Sequence, residues 1–407
     1  MHITTYITRI IDDIKRFYIE RKYISTNRDI NCWLFGEWFG KKCNDNSFFL
    51  ANYIALNHPE ICLYWVACED TDTSRLDNKI HIIKYDGEES KNIFKRVGVV
   101  VMNQGYIDFS SKGYNYFRGA VTVNLWHGVA WKKIGHDKTK AKGLIHNLHE
   151  NVFDYFEKAE KYVSLSRRYS EILHTAFHAT DNEIIKAGYP RNMYYYSLDW
   201  LELNRNLLIK RLSEEKLMHV SSQVKIILYM PTFRDRTIDM CSLDCLADDL
   251  DFYNWMEENN VFIIQKAHFV SQQRAELNKS KVNNRVLTMN DIAPYEALGA
   301  ADILITDYSS CFFDYLVLDR PIIHFIYDYE NYKNIDRGIY YEKEEVICGD
   351  AVENICNLKK SIKKYVINPE QNKDLRQKRR NQYIEYENPN SCEIIFNEIY
   401  KASRQEC

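Results

Sequence analysis

The stretch DILITDYSSCFFDYLVLDRPIIHF, residues 302–325, changes its local character three times in a short span. Residues 302–306 are a β-branched run, and Asp307-Tyr308-Ser309-Ser310 break it. Residues 311–318 are apolar and helix-like, and residues 321–327 are strand-like again. Strand, turn, helix and strand in this order predict a parallel βαβ unit, because two parallel strands need a crossover between them. The same alternation continues outward. Strand-like runs lie at 224–230, 261–265 and 285–288, and in the first half at 62–67, 81–85, 97–103, 120–126, 162–165 and 184–187. Helix-length stretches such as 46–57, 167–180 and 246–259 separate them. The fold class this predicts is α/β, with two Rossmann-like halves built on largely parallel sheets.

The expected organisation has five parts: an amphipathic N-terminal helix (1–30), a Rossmann-like acceptor-side domain (31–200), a charged helical connector (201–222), a second Rossmann-like domain (223–370) and a helical tail (371–407). The 407 residues allow two or three domains at about 150 residues each. A hydrophobic share of 45% excludes wholesale disorder, and 14 Gly with 7 Pro exclude collagen-like or low-complexity architecture. With 54 basic and 57 acidic residues the net charge is −3, which argues against a general nucleic-acid binder. The 11 cysteines lack a CxxC pair or zinc-ligand spacing, so free thiols in a reducing compartment are expected. Ile7, Ile10, Ile11, Ile14 and Phe17 recur at helical spacing among charges, which is not the apolar core of a signal peptide. No apolar run approaches the ~20 residues of a membrane span.

In open α/β sheets ligands bind beyond the carboxyl ends of the strands. Four such ends carry chemistry here: His127-Gly128 after 120–126, Pro231-Thr232-Phe233-Arg234 after 224–230, Lys266-Ala267-His268 after 261–265, and Asp307–Ser310 after 302–306. Gly128 allows a sharp turn beside the imidazole. His127 is a candidate general base, its alternative being a satisfied structural histidine, and the same holds for His268. Ser309 or Ser310 stands where a helix N-cap belongs, a position that either merely caps the helix or cradles a phosphate. Lys132 and Lys133 are candidates to clamp an anionic acceptor, and Arg337 to contact phosphate. His174 and His178 lack the Glu of a metalloprotease motif, and the DxD triplets Asp70–Asp72 and Asp249–Asp251 arise easily by chance. Neither GxGxxG nor the P-loop occurs.

These motifs in order, LWHGVAWKKIGHD (125–137), AGYPRN (187–192), ILYMPTFRD (227–235), KAH (266–268), the opening stretch (302–325) and RGIYYE (337–342), resemble the CDP-glycerol glycerophosphotransferase family of teichoic-acid and related capsule synthesis. An earlier segment, from Trp33-Leu34-Phe35-Gly36 to Asp45-Asn46-Ser47, resembles the family's opening motif. The resemblance implies a GT-B-like architecture, two Rossmann-like domains facing a cleft. It implies transfer of polyol phosphate from a CDP-activated donor to a hydroxyl, with release of CMP. It matches His127 and His268 to the two histidines needed for activity, and Thr232, Ser309 and Ser310 to positions around the donor phosphates. With them, Arg234, Asp307 and Arg337 are expected on the donor side, and Gly128, Lys132 and Lys133 on the acceptor side. No cofactor and no dedicated metal cage are expected, while assistance by a divalent cation stays open.

The sequence departs from the family pattern at Val129-Ala130, where Thr-Pro is usual, at Phe269 for Pro, and at Met193 for Asp. The expected partners are CDP-glycerol or a related CDP-polyol, a lipid-linked or oligomeric polyol-phosphate or saccharide acceptor, and a membrane surface. The expected location is cytoplasmic, peripheral on the inner face of the cell membrane. Residues 1–22 and the basic stretches 359–364 and 376–380 are the candidate membrane contacts; the first helix packing its Ile face on the first domain is the alternative. A phosphotransferase using CDP-ribitol or another CDP-polyol, and a GT-B glycosyltransferase using a nucleotide sugar, are the competing activities.

Overall fold

The computed structural model describes residues 3–24, 27–137, 158–216, 219–232, 242–266, 285–332 and 338–405. It divides into two compact units. The first comprises Met1–His127, Lys140–Met193 and Tyr386–Cys407; the second comprises Gly128–Thr139 and Tyr194–Glu385.

The first unit is built on seven parallel strands: β1 (Asp29–Phe35), β2 (Cys62–Ala67), β3 (Ile80–Lys84), β4 (Val97–Met102), β5 (Val121–Asn124), β6 (Lys161–Ser164) and β7 (Ile184–Lys186). Their spatial order is β3-β2-β1-β4-β5-β6-β7. The second unit has six parallel strands: β8 (Lys225–Met230), β9 (Val261–Gln265), β10 (Val286–Thr288), β11 (Ile303–Thr306), β12 (Ile322–Phe325) and β13 (Asp350–Val352), in the order β10-β9-β8-β11-β12-β13. Both orders run outward from a reversal, between β1 and β4 in one sheet and between β8 and β11 in the other. Sheets covered on both faces read as continuous apolar runs. Accordingly VGVVVM of β4, VFIIQ of β9 and ILIT of β11 are buried at every position. Ile227, Ile263, Ile305 and Ile323 form one core with Leu358 and Ile362 of the helix Ile355–Ile367.

Two strands, β1 and β13, lie outside the strand-like runs of the sequence. In β1, DINCWLF, only the last four residues are buried, so the polar start hides the strand. β13 spans three residues. The run 120–126 is also shorter than its composition suggests. Asn124 Oδ1 accepts from Trp126 N at 2.9 Å and turns the chain out of β5.

The charged helix runs Leu198–Lys216 and lies in the second unit, with Trp200 stacked on Tyr295 at 5.8 Å and Arg205 paired with Asp302. The last residues divide. Lys373–Tyr383 stays with the second unit, whereas Ser391–Gln405 returns to the first, where Phe396 stacks on Trp33 at 5.3 Å.

The basic stretches are divided between inward and outward cations: Lys360 and Lys378 are exposed, while others are engaged within the protein. Arg376 and Arg379 are buried, donating to the carbonyls of Gln371 and Asp319 and of Ile347 and Glu344 respectively, and Arg376 pairs with Asp319. Lys359 pairs with Asp249, and Lys364 with Asp350. Lys363 lies over the Phe252 and Trp255 rings. Arg376 and Arg379 are drawn inward by carbonyl and carboxylate partners that the sequence does not announce.

The helix Ile3–Lys22 has the opposite surprise. Its inward face carries Arg16 and Glu20, and Tyr23, just past its end, is also buried. The buried Glu20 Oε1 accepts from Asn115 N and Arg16 Nε, and Arg118 approaches Oε2. Ile11, Ile14, Phe17 and Tyr18 face solvent, beside exposed Lys15, Arg21 and Lys22. Arg28 pins the chain below the helix, donating to the carbonyls of Phe94, Val97, Arg118 and Tyr23. Among the described residues no helix is long and apolar enough to cross a membrane. The nine described cysteines are free.

Candidate functional site

The reversal of a doubly wound sheet leaves a crevice beyond its strand ends. In the first unit the chain leaves β1 into Glu37-Trp38 and β4 into Asn103-Gln104. Glu37 is fully buried, and its carboxylate accepts from the backbone N–H groups of Asn44, Asp45 and Phe48. Burial, with the Asp45 carboxylate adding, raises its pKa well above the usual range. Asp108 fixes the other side of the crevice, accepting from Phe39 N, Asn103 N and Gln104 N, and burial lifts it to about 6.

His127 follows β5 beside this crevice. The residues flanking it have unusual backbones: Trp126 has φ 58° and Gly128 has φ 151°. A left-handed tryptophan is sterically costly and persists only where surroundings enforce it. Asn46 Nδ2 donates to the Trp126 carbonyl at 2.9 Å, and both Arg191 Nη atoms donate to the His127 carbonyl at 3.3 Å. Trp126 stacks on the half-buried imidazole at 4.5 Å, and Trp38, itself at φ 48°, flanks it at 5.6 Å. Asp45 joins the set. Its Oδ1 accepts from Asn46 N and Arg191 Nη1, and its Oδ2 from the Trp38 indole. The 187–192 motif that brings Arg191 is held from the C-terminal helix side. Glu387 Oε2 accepts from Tyr189 N and Asn192 Nδ2, and Gly188 N donates to Ser391 Oγ. A Cβ at 188 would stand 2.1 Å from Glu387 Oε1, so any larger residue would displace that carboxylate.

In the second unit the reversal lies between β8 and β11, and Thr232 and Asp307 follow those strands. Asp307 is fully buried, and its Oδ1 accepts from Thr232 N (2.8 Å), Thr232 Oγ1 (2.6 Å) and Tyr308 N (2.6 Å). The carboxylate thus staples the two strand ends together. Ser309 and Ser310 are half-buried at the start of a short helix, Cys311–Tyr315, continued by a 3-10 turn. The expected side-chain cap is not made. Ser310 has helical φ/ψ and no capping bond, and Ser309 Oγ accepts only a long 3.4 Å contact from Cys311 N. With five α-helical residues the dipole is slight, so any affinity for an anion rests on the hydroxyls and backbone N–H groups.

The segment after Gly128 is part of this second unit. Lys132 bridges Ile339 antiparallel, Lys133 N donates to the Gly338 carbonyl, and Trp131 Nε1 donates to the Tyr341 carbonyl. The Trp131 ring packs on Tyr308 and Phe312, so two motifs distant in sequence are laid against the Asp307–Ser310 turn. Lys132 Nζ lies 5.9 Å from the Tyr332 ring centroid. Lys132 and Lys133, expected on the acceptor side, therefore share a unit with the serines. His268, Arg234 and Arg337 lie outside the described residues.

The weaker motifs have structural employment. His174 Nδ1 donates to the Ala179 carbonyl, Asp72 accepts from Ser74 N, and Asp249 caps a helix through Phe252 N. Asp45, Arg191 and Glu387 carry no role in the sequence pattern, although the first two lie in recognised motifs. The available signal was a charged residue inside an otherwise apolar or turn-forming motif.

The profile of the CDP-glycerol:poly(glycerophosphate) glycerophosphotransferase family matches residues 20–401. The chain is 27% identical over 351 residues to a teichoic acid glycerol-phosphate transferase of Staphylococcus aureus, covering 83% of this chain and 84% of that protein. It is 25% identical over 328 residues to a teichoic acid poly(glycerol phosphate) polymerase of Bacillus subtilis, covering 79% of this chain but only 42% of the polymerase. The fold matches the solved structure of the wall teichoic acid polymerase TagF with a TM-score of 0.79 at 20% identity, over 99% of this chain and 96% of that one. The two parallel sheets, the strand-end motifs and the profile spanning nearly the whole chain agree: this chain belongs to the CDP-glycerol:poly(glycerophosphate) glycerophosphotransferase family.

Proposed function

We propose a residue-level course for the reaction that family membership assigns to this chain, transfer of glycerol phosphate from CDP-glycerol to an acceptor hydroxyl. The acceptor oxygen attacks the β-phosphorus, the bond from that phosphorus to the bridging oxygen breaks, and CMP leaves. His127 takes the proton of the attacking hydroxyl. Such transfers depend on positioning and on stabilising charge at the phosphoryl oxygens more than on covalent chemistry. Ser309 and Ser310 donate to the donor phosphates, with Arg234 and Arg337 as charged partners and His268 stabilising or protonating the departing phosphate. Asp307 acts one step back, since a carboxylate against phosphate would repel it; its bonds to Thr232 and Tyr308 shape the turn instead.

The observation that carries this reading is the strained, tightly held turn around His127, an expenditure of backbone strain that an ordinary structural histidine does not need. The acceptor is a lipid-linked or oligomeric polyol phosphate met at the inner face of the cell membrane, and the outward apolar face of the first helix supports that location. The test is a panel of CDP-glycerol, CDP-ribitol and nucleotide sugars scored for nucleotide release and product linkage. CMP release with a phosphodiester-linked glycerol is expected; a glycosidic product would overturn the reading.

A further inference from the structure

We propose that Asp45 and Arg191 are positioning residues for His127, an inference that rests on the reading of His127 as the base. Asp45 and Arg191 are both buried, and they meet at 2.5 Å. A buried ion pair is weak evidence for stability, because desolvation offsets most of its attraction. What distinguishes this one is where its remaining valences go. Both Arg191 Nη atoms end on the His127 carbonyl. The second Asp45 oxygen ends on the indole N–H of Trp38, whose ring flanks the imidazole. Asn46, whose N–H Asp45 also accepts, ends on the Trp126 carbonyl and accepts from Arg191 N. Peptide groups on both sides of the imidazole and one of the rings that bracket it are thus tied to a single carboxylate–guanidinium pair.

The turn they hold has Trp126 in the left-handed region just before His127, a conformation that a tryptophan does not keep by local preference. Glu387 extends the arrangement by fixing the neighbours of Arg191, Tyr189 and Asn192. The pair therefore sets the angle at which the imidazole meets the acceptor hydroxyl. Small misplacements of a catalytic group are expensive in rate while leaving ligand affinity nearly unchanged.

The test compares Asp45→Asn, Arg191→Lys and His127→Ala in the full chain, singly and as the doubles Asp45→Asn/His127→Ala and Arg191→Lys/His127→Ala. Arg191→Lys keeps the charge toward Asp45 and loses the fork that reaches the carbonyl. Each single positioning variant is expected to lower kcat by about 10- to 100-fold with KM for CDP-glycerol within about two-fold of the parent. Each is also expected to shift the pH limb of kcat/KM that belongs to the imidazole. In the His127→Ala background neither should lower the residual rate further. Should one variant unfold, seen in its urea midpoint, the other carries the test. Wild-type kcat in a folded positioning variant, or losses that multiply with that of His127→Ala, would overturn the proposal while leaving His127 as base. Near-normal turnover in His127→Ala would remove the base reading, and this inference with it.

Discussion

The first helix offers a prediction whose size follows from its orientation. Ile11 is 46% exposed and Ile14 63% exposed, on the face that also carries Tyr18, Lys15 and Lys22, while the polar Arg16 and Glu20 are turned inward. Fully burying an isoleucine gains about 1.5–3 kcal/mol. Scaled by exposure, insertion of Ile11 and Ile14 together gains about 2–3 kcal/mol, or roughly 30- to 150-fold in partitioning. Lys15, Arg21 and Lys22 each add about 1 kcal/mol against an anionic surface, and salt screens that part. The double substitution Ile11→Ser with Ile14→Ser leaves the inward contacts of Glu20 intact, so folding should be unchanged. Co-sedimentation with vesicles containing anionic lipid should fall by that factor, whereas binding of the parent should weaken in high salt and on zwitterionic vesicles. Equal binding by parent and double variant would refute the assignment of this face to a membrane.

The phosphate turn gives a second expectation. Because neither serine makes a strong internal bond, Ser309→Ala with Ser310→Ala should fold normally yet weaken CDP-glycerol by tens-fold in calorimetry, hydrogen bonds to charged groups being worth about 1.5–3 kcal/mol each. Acid stability gives a third. His324 is fully buried, and burial depresses it from 6.5 to about 4. The unfolded chain therefore binds a proton that the folded one refuses, and stability falls as pH drops from above 6.5 towards 4, by about 3 kcal/mol. His324→Gln should flatten that slope in urea unfolding followed between those pH values, and an unchanged slope would contradict the assignment.

The fold was legible wherever strands are buried along their whole length, as in β4, β9 and β11, because parallel pairing demands unbroken apolar runs. It was illegible where half a strand is wet, as in β1, or where a helix turns its polar residues inward, as Arg16 and Glu20 do. Periodicity reveals that such a helix is two-faced and does not say which face the domain takes. The candidate site shows the same division. His127, Thr232 and the two serines stand out as candidates because they lie just beyond strand ends. The Asp45–Arg191 pair joins residues 146 positions apart, and the Glu387–Asn192 bond joins residues 195 apart. No local pattern encodes such partners. Arg376 and Arg379 are the reverse case, two residues of a basic run buried by carbonyl partners that lie far off in sequence or in other elements.

The proposed mechanism depends most directly on His127. Turnover of CDP-glycerol, followed as CMP release, should fall by about 10²–10⁴-fold in His127→Ala, the usual contribution of general acid–base catalysis. Donor affinity measured by calorimetry on the same protein should stay within a few-fold of the parent, because the phosphate-binding residues proposed here follow β8 and β11 in the other unit. A variant that binds donor and turns it over at near the parental rate would contradict the mechanism.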